Sequence, residues 1–239
     1  MNKRKIILLS VSALLILAIL FFSIYLFAVI LPEKREREER ERLVREYYES
    51  KYEIYREENE KYDDYEVDVA FLGDSLTDGY DLAKYYPNIV TANRGIGGET
   101  SYGLEDRMAL SVYDLKPKVA VMLIGGNNLD TMLDNYENLL IGMRDNLPET
   151  KVVLVSLTAM GRDWAFKNKI AAYNNVVIKK LAAKYGFEFV DVYTPLFDET
   201  TGELNSSYTN DGVHFNESGY RVVTDALTPV LNNLLSEKE

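Results

Sequence analysis

Cysteine is absent from the 239 residues, and histidine and tryptophan occur once each, as His214 and Trp164. The lack of thiols removes disulfides, thiolate metal sites and a cysteine nucleophile together. A single imidazole excludes a multi-histidine metal centre, so no metal is expected, and no cofactor is expected either. Basic residues are outnumbered, 27 Lys and Arg against 38 Asp and Glu, for a formal net charge of -11. Such a surface repels phosphate backbones, and the globular part carries no basic stripe interleaved with aromatics; nucleic acid is therefore not an expected partner. Glycine and proline are missing between Pro32 and Gly73.

One long run has no charge at all. Ile6 to Leu31 is 26 residues of strongly apolar sequence, and at about 1.5 Å rise per residue it spans a hydrocarbon core of roughly 30 Å. The expectation is a transmembrane anchor over 6–31 behind a short basic tail, 1–5, making the membrane a partner. A cleaved signal peptide is the competing reading, because Lys3, Arg4 and Lys5 form a positive n-region. Its apolar core would ordinarily be about 7–15 residues, and Leu31-Pro32-Glu33 is not a small-x-small cleavage site. Lys34, Arg35, Arg37, Arg40 and Arg42 follow the span, so a literal positive-inside count favours an inward-facing C-terminal side.

Residues 32–66 are dense in Glu, Arg, Lys and Tyr, with opposite charges three and four apart, and read as a solvated helical stalk. Tyr48, Tyr52, Tyr55 and Tyr62 fall at 4-3-7 spacing. That stripe is either a short coiled-coil seam, through which the stalk would self-associate, or a face that rests on the catalytic domain.

From residue 67 the pattern changes to brief Val- and Ile-rich runs: VDVAFLG, NIVTANRG, KVAVMLIGG, KVVLVSLTA and FEFVDV. Unalternating apolar runs of this length are typical of buried parallel strands. Segments around 101–115, 130–146, 164–185 and 217–236 carry helical spacing. The expectation for 67–239 is one α/β domain, a three-layer α/β/α sandwich on a five-stranded, mostly parallel sheet of flavodoxin-like type.

Function in such sheets gathers at the carboxyl ends of the strands. Strand one ends in Gly73-Asp74-Ser75, strand two in Asn93-Arg94-Gly95-Ile96-Gly97-Gly98, strand three in Gly125-Gly126-Asn127-Asn128, and Asp211-Gly212-Val213-His214 follows strand five. An alkoxide nucleophile needs an exposed serine on a tight turn, an imidazole to take its proton, a carboxylate behind the imidazole and amide donors for the oxyanion. Ser75, His214 and Asp211 have the types and placement for the first three. Asp74 reads as a turn-stabilising side chain. Arg162 and Trp164, after strand four, are candidates for substrate contact or for simple packing.

GDSLTDGY at 73–80, followed in order by the other three motifs, resembles the GDSL, or SGNH, hydrolase family over about 170 residues from Val67 onward. The resemblance implies a serine esterase or acylhydrolase with Ser75 as nucleophile and His214 and Asp211 as its base and orienting acid. It also implies an oxyanion hole built from Ser75, Gly98 and Asn127. Where that family's third block usually reads Gly-x-Asn-Asp, this chain has Asn128, which predicts an altered loop with the donor Asn127 kept. Phe215, after the histidine, is expected to reshape the mouth. The implied substrate is a small acyl ester, such as acetyl on a carbohydrate, cleaved by a domain facing the outside of the cell. Acetyl transfer to cell-envelope glycans, lysophospholipase or thioesterase action, and non-catalytic glycan binding on the same fold are the alternatives.

Overall fold

The computed structural model describes residues 2–236; Met1, at the tip of the basic tail, and residues 237–239, at the end of the domain, lie outside the described residues. Contacts divide the chain into two units, Met1–Lys51 and Tyr52–Glu239.

The first unit is helical. Helix α1, Lys3–Tyr25, passes through a π-helical turn, Leu26–Ile30, into α2, Leu31–Lys61. This is the one helical stretch among the described residues long and apolar enough to cross a membrane. Its apolar side chains Leu14, Leu17, Phe21 and Phe27 are exposed. Water is a poor solvent for such a surface, and lipid is a good one. Farther on, Lys34–Glu38, Arg37–Glu41 and Arg42–Glu46 pair at i,i+4 spacing, each side chain more than half exposed. Pairs of that kind contribute only tenths of a kcal/mol each.

The second unit is built on five parallel strands, β1 Val69–Gly73, β2 Thr91–Gly95, β3 Val119–Leu123, β4 Lys151–Val155 and β5 Glu188–Val190, in the order β2-β1-β3-β4-β5. All five residues of β1 and of β3 are buried, as unalternating runs require. Period two then sorts their side chains between two layers. Leu72, Ala120, Met122, Val152 and Leu154 face one core with Tyr136, Leu139, Leu140 and Met143 of α6, Leu133–Asn146, and Ile178 of α7, Asn168–Tyr185. Val69, Phe71, Val119, Val121, Val153 and Val155 face the other, which Val223, Leu227 and Leu231 of α9, Glu217–Ser236, close from outside. The result is the expected α/β/α sandwich.

Two segments differ from the sequence reading. The helix expected over 164–185 starts only at Asn168, after a 3-10 stretch, Arg162–Lys167. There the Asn168 side chain both accepts from Met160 N and donates to Met160 O, at 2.8 Å each, which turns the chain into a new direction. The second difference is at the end of α2. Tyr55 is 1% exposed, its hydroxyl donates to Gly95 O at 2.9 Å, and its ring lies under the Arg94 guanidinium at 4.6 Å. Arg94 is fully buried, paired with Glu58, and donates to Asn59 Oδ1 and Ser111 O. Tyr62 packs on Val67, Ala70, Ala92 and Leu115. Tyr55 and Tyr62 of the tyrosine stripe thus rest on the sheet unit, and the helical turns from Tyr52 belong to it.

Candidate active site

The strand order reverses direction between β1 and β3, and a crevice opens at their carboxyl ends at such a switch point. Ser75 opens the short helix α3, Ser75–Asp78, directly after β1. Asp74 caps that helix, its Oδ1 accepting from Leu76 N at 3.1 Å. Asn93 of β2 ties the turn down from the side, donating to Thr77 O at 2.8 Å. The turn is therefore held from both ends while the serine stays partly accessible.

His214 and Asp211 come from the loop before α9. His214 Nε2 lies 3.0 Å from Ser75 Oγ, and Nδ1 lies 2.7 Å from Asp211 Oδ2. Asp211 Oδ1 accepts from the backbone N–H of Val213 and His214 at 2.9 and 2.8 Å. The bond from His214, and then that from Val213 N–H, holds the Asp211 carboxyl well below the usual carboxylate range. An ionised Asp211 can only accept, so Nδ1 carries the proton, Nε2 is the acceptor and Ser75 O–H donates to it. Buried Thr209 stitches this loop, donating to His214 O at 2.7 Å and accepting from Gly212 N at 2.9 Å. Gly212 itself has φ +93°, and a Cβ there would meet Gly161 O at 2.7 Å, so the position needs glycine.

A cavity of about 320 Å³ lies over this row. Ser75, Asp211 and His214 line one part of it with Val213, and Gly126, Asn127, Met160, Trp164 and Lys167 line the rest. Gly98, Arg162 and Phe215 are not among the lining residues. Gly98 sits in the loop after β2 at φ +78°. Arg162 N–H is bound to Glu203 Oε2 at 2.8 Å, and Phe215 packs edge-on against Tyr220 beneath the loop. Asn127 spends one Nδ2 hydrogen on Glu99 O at 2.8 Å and keeps a second. Behind it Glu99 pairs with buried Arg107, which also donates to Gly73 O at 3.2 Å, so one guanidinium braces the β1 and β2 ends of the site together.

Asn128, the departure from the usual block, is explained by its neighbours. Its Oδ1 accepts from Ser101 N and its Nδ2 donates to Ser101 Oγ at 2.9 Å. That hydroxyl donates onward to Asn135 Oδ1 at 2.6 Å, and Asn135 Nδ2 donates to Glu105 Oε2 at 2.7 Å. Every donor in the row points toward Glu105, and an amide is what the first position requires.

Lys167, Met160, Thr209 and Arg107 were not singled out in the sequence. Each acts through a loop conformation or a partner distant in the chain, and no local spacing signals either. Among the described residues, no group of three or more His, Asp or Glu side chains is arranged to hold a metal ion.

Asp74 is 3% exposed, and burial pushes its carboxyl up to about 6. Between the ordinary value and 6 the folded protein holds a proton that the unfolded chain has lost, so stability falls as pH rises through that window. Two units correspond to about 3 kcal/mol at most. Asp74→Asn, which keeps the cap acceptor, should therefore raise the melting temperature at pH 8 and do little at pH 4. Equal shifts in thermal melts at the two pH values would refute this account.

A serine, a histidine and an aspartate in hydrogen-bonded sequence at the switch point of a flavodoxin-like sheet define a hydrolase of the acyl-transfer type. Residues 71–222 match the sequence profile of the GDSL-like Lipase/Acylhydrolase family, and the chain belongs to it. It is a serine hydrolase acting on esters. The fold is similar to that of a Streptococcus pneumonia protein provisionally named a platelet activating factor, 25% identical, covering 83% of this chain and 99% of that one at TM-score 0.72. A GDSL-like lipase from Bacteroides thetaiotaomicron is 26% identical, covering 76% and 97% at TM-score 0.67. An acetylxylan esterase from Geobacillus stearothermophilus shares the fold at 19% identity, 73% and 96% coverage and TM-score 0.57. No curated protein matches.

Proposed function

We propose that Ser75 is the nucleophile of an acyl-serine mechanism that removes a small acyl group, acetyl above all, from a carbohydrate or another small ester. The observation that carries this reading is the unbroken row Ser75 Oγ, His214, Asp211 at 3.0 and 2.7 Å under an open cavity. As Oγ bonds to the acyl carbon, its proton passes to His214 Nε2, and Asp211 stabilises the imidazolium. The carbonyl electrons move onto oxygen, which the backbone N–H of Ser75 and Gly98 and the second Nδ2 hydrogen of Asn127 receive. Collapse expels the alcohol, which takes the proton from Nε2. Water repeats the sequence on the acyl-serine and releases the acid.

Small acyl groups are favoured because about 320 Å³, shared between acyl and alcohol portions, is near the lower end for ligand pockets. Trp164, 46% exposed on the wall, offers an apolar face of the kind a sugar ring covers. The test is to incubate the purified chain with a fluorophosphonate probe and with acetylated glycans. Labelling at Ser75 and release of free acetate are expected; a folded protein that does neither would refute the reading, and acetylated acceptor in excess of acetate would make it a transferase.

Domain organisation follows the same reading: a basic tail over 1–5, an anchor over 6–31, a charged connecting helix, and a catalytic unit outside the membrane. The exposed apolar side chains of α1 support the anchor. Intact chain in the membrane fraction, with the catalytic unit removed by protease added to whole cells, is the expected result. A soluble form beginning after residue 31 would overturn the anchor, and protection from protease the orientation.

A further inference from the structure

We propose, resting on the acyl-serine reading above, that Lys167 and Trp164 form a subsite for an anionic group. The preferred substrates are then small acyl esters with a carboxylate or phosphate close to the scissile bond. Lys167 ends the 3-10 stretch that leads into α7 and lines the same cavity as Ser75, Asn127 and His214, as the only Lys or Arg among the described residues that does so.

Its partner is the decisive feature. Lys84, Lys116, Lys118 and Lys184 each sit on a carboxylate at 2.5–3.1 Å. Among the described residues no carboxylate pairs with Lys167, as none does with exposed Lys151, Lys169 and Lys180, but of these lysines Lys167 alone lines the cavity. Its Nζ lies instead 4.8 Å from the centre of the Trp164 ring. A cation over an indole is held in place without being neutralised, and its remaining ammonium hydrogens stay available as donors.

The other charged group on the wall is Asp211. Both oxygens of Asp211 are engaged, one by His214 and one by two backbone N–H groups. The reaction itself adds a reason for the lysine. An anionic substrate must develop a second negative charge, on the oxyanion, a short distance from its first. Like charges at that separation raise the barrier unless a cation offsets them. Lys167 is the cation that the cavity supplies, and Trp164 beside it covers the apolar part of the same ligand.

The anion can belong to either half of the ester, and matched water-soluble pairs separate the two cases. With the full-length chain in detergent, 4-acetoxybenzoate against its methyl ester places the charge on the alcohol side. 4-Nitrophenyl hemisuccinate against 4-nitrophenyl butyrate places it on the acyl side. The charged member of one pair should show roughly tenfold higher kcat/KM, what a charge-assisted hydrogen bond of about 1.4 kcal/mol gives. Lys167→Gln should bring that ratio to about one, Lys167→Glu should invert it, and Lys169→Gln, an exposed neighbour off the cavity wall, should leave it unchanged. Ratios near one in both pairs for the parent chain, or a preference that survives Lys167→Gln, would overturn the subsite. Failure of the acyl-serine reading is separately visible, as neutral-ester turnover that persists in Ser75→Ala.

Discussion

Ser75→Ala and His214→Ala, each folded as the parent, are expected to lose on the order of 10⁶ in turnover, and the double variant little more, because residues acting as one unit are not additive. The geometry gives the reason. Ser75 Oγ has His214 Nε2 at 3.0 Å as its acceptor, and no second histidine exists in the chain to replace it. Without the acceptor the hydroxyl must lose its proton to water; without the hydroxyl the imidazole has nothing to activate but water. Asp211→Asn should cost less, on the order of 10⁴, since it leaves the ring in place but favours the wrong tautomer. Asn127→Ala should cost about 10²–10³, the usual effect of one oxyanion donor, chiefly in kcat. Steady-state kinetics on one soluble ester measures the whole series. A folded His214→Ala protein retaining a tenth of parental turnover would end the mechanism.

The second large effect is on stability and lies far from the serine. Arg94 is fully buried with Glu58 as its carboxylate partner, and Glu58 comes from the helix that precedes the sheet. Removing one member of such a pair strands a charge in the interior and costs about 3–5 kcal/mol. Glu58→Ala is thus expected to lower the melting temperature by roughly 6–20 °C, at about 2–4 °C per kcal/mol for a unit of this size. A catalytic fragment begun after Lys61 would lose Tyr55 and Asn59 as well and should melt lower still than one begun at Tyr52. Thermal melts of Glu58→Ala and of the two fragments decide this. A fragment lacking 52–61 that melts with the longer one would show the clamp to be dispensable.

This clamp also marks where the sequence stops being legible. The strands were readable because β1 and β3 are buried on both faces and must be apolar throughout. Three of the four motifs were readable because each lies within a few residues of a strand end; the fourth, Asp211 to His214, lies well beyond β5 and was readable by its residue types and its order after the other three. Tyr55, Glu58 and Asn59 look, residue by residue, like the solvated helix they continue; what changes their role is Arg94, a partner 35 or more positions away. A buried arginine inside β2 carries no local signal of its burial either. Lys167 and Thr209 escaped for the same reason, since their significance lies in what they face. The split between Lys167 and Asn168 depends on a side chain bonding back to Met160, which periodicity does not report.

Asn128 bears on how such a chain can change over time. Its amide stands at the head of a row in which each donor points toward Glu105, through Ser101 and Asn135. An aspartate introduced there would draw the Ser101 proton to itself and leave the buried Asn135 oxygen without a donor, at about 1–3 kcal/mol. The acid becomes neutral only once position 135 no longer needs that proton. Substitutions at 128 and 135 are therefore constrained in their order, and the two positions should vary together among descendants of this sequence.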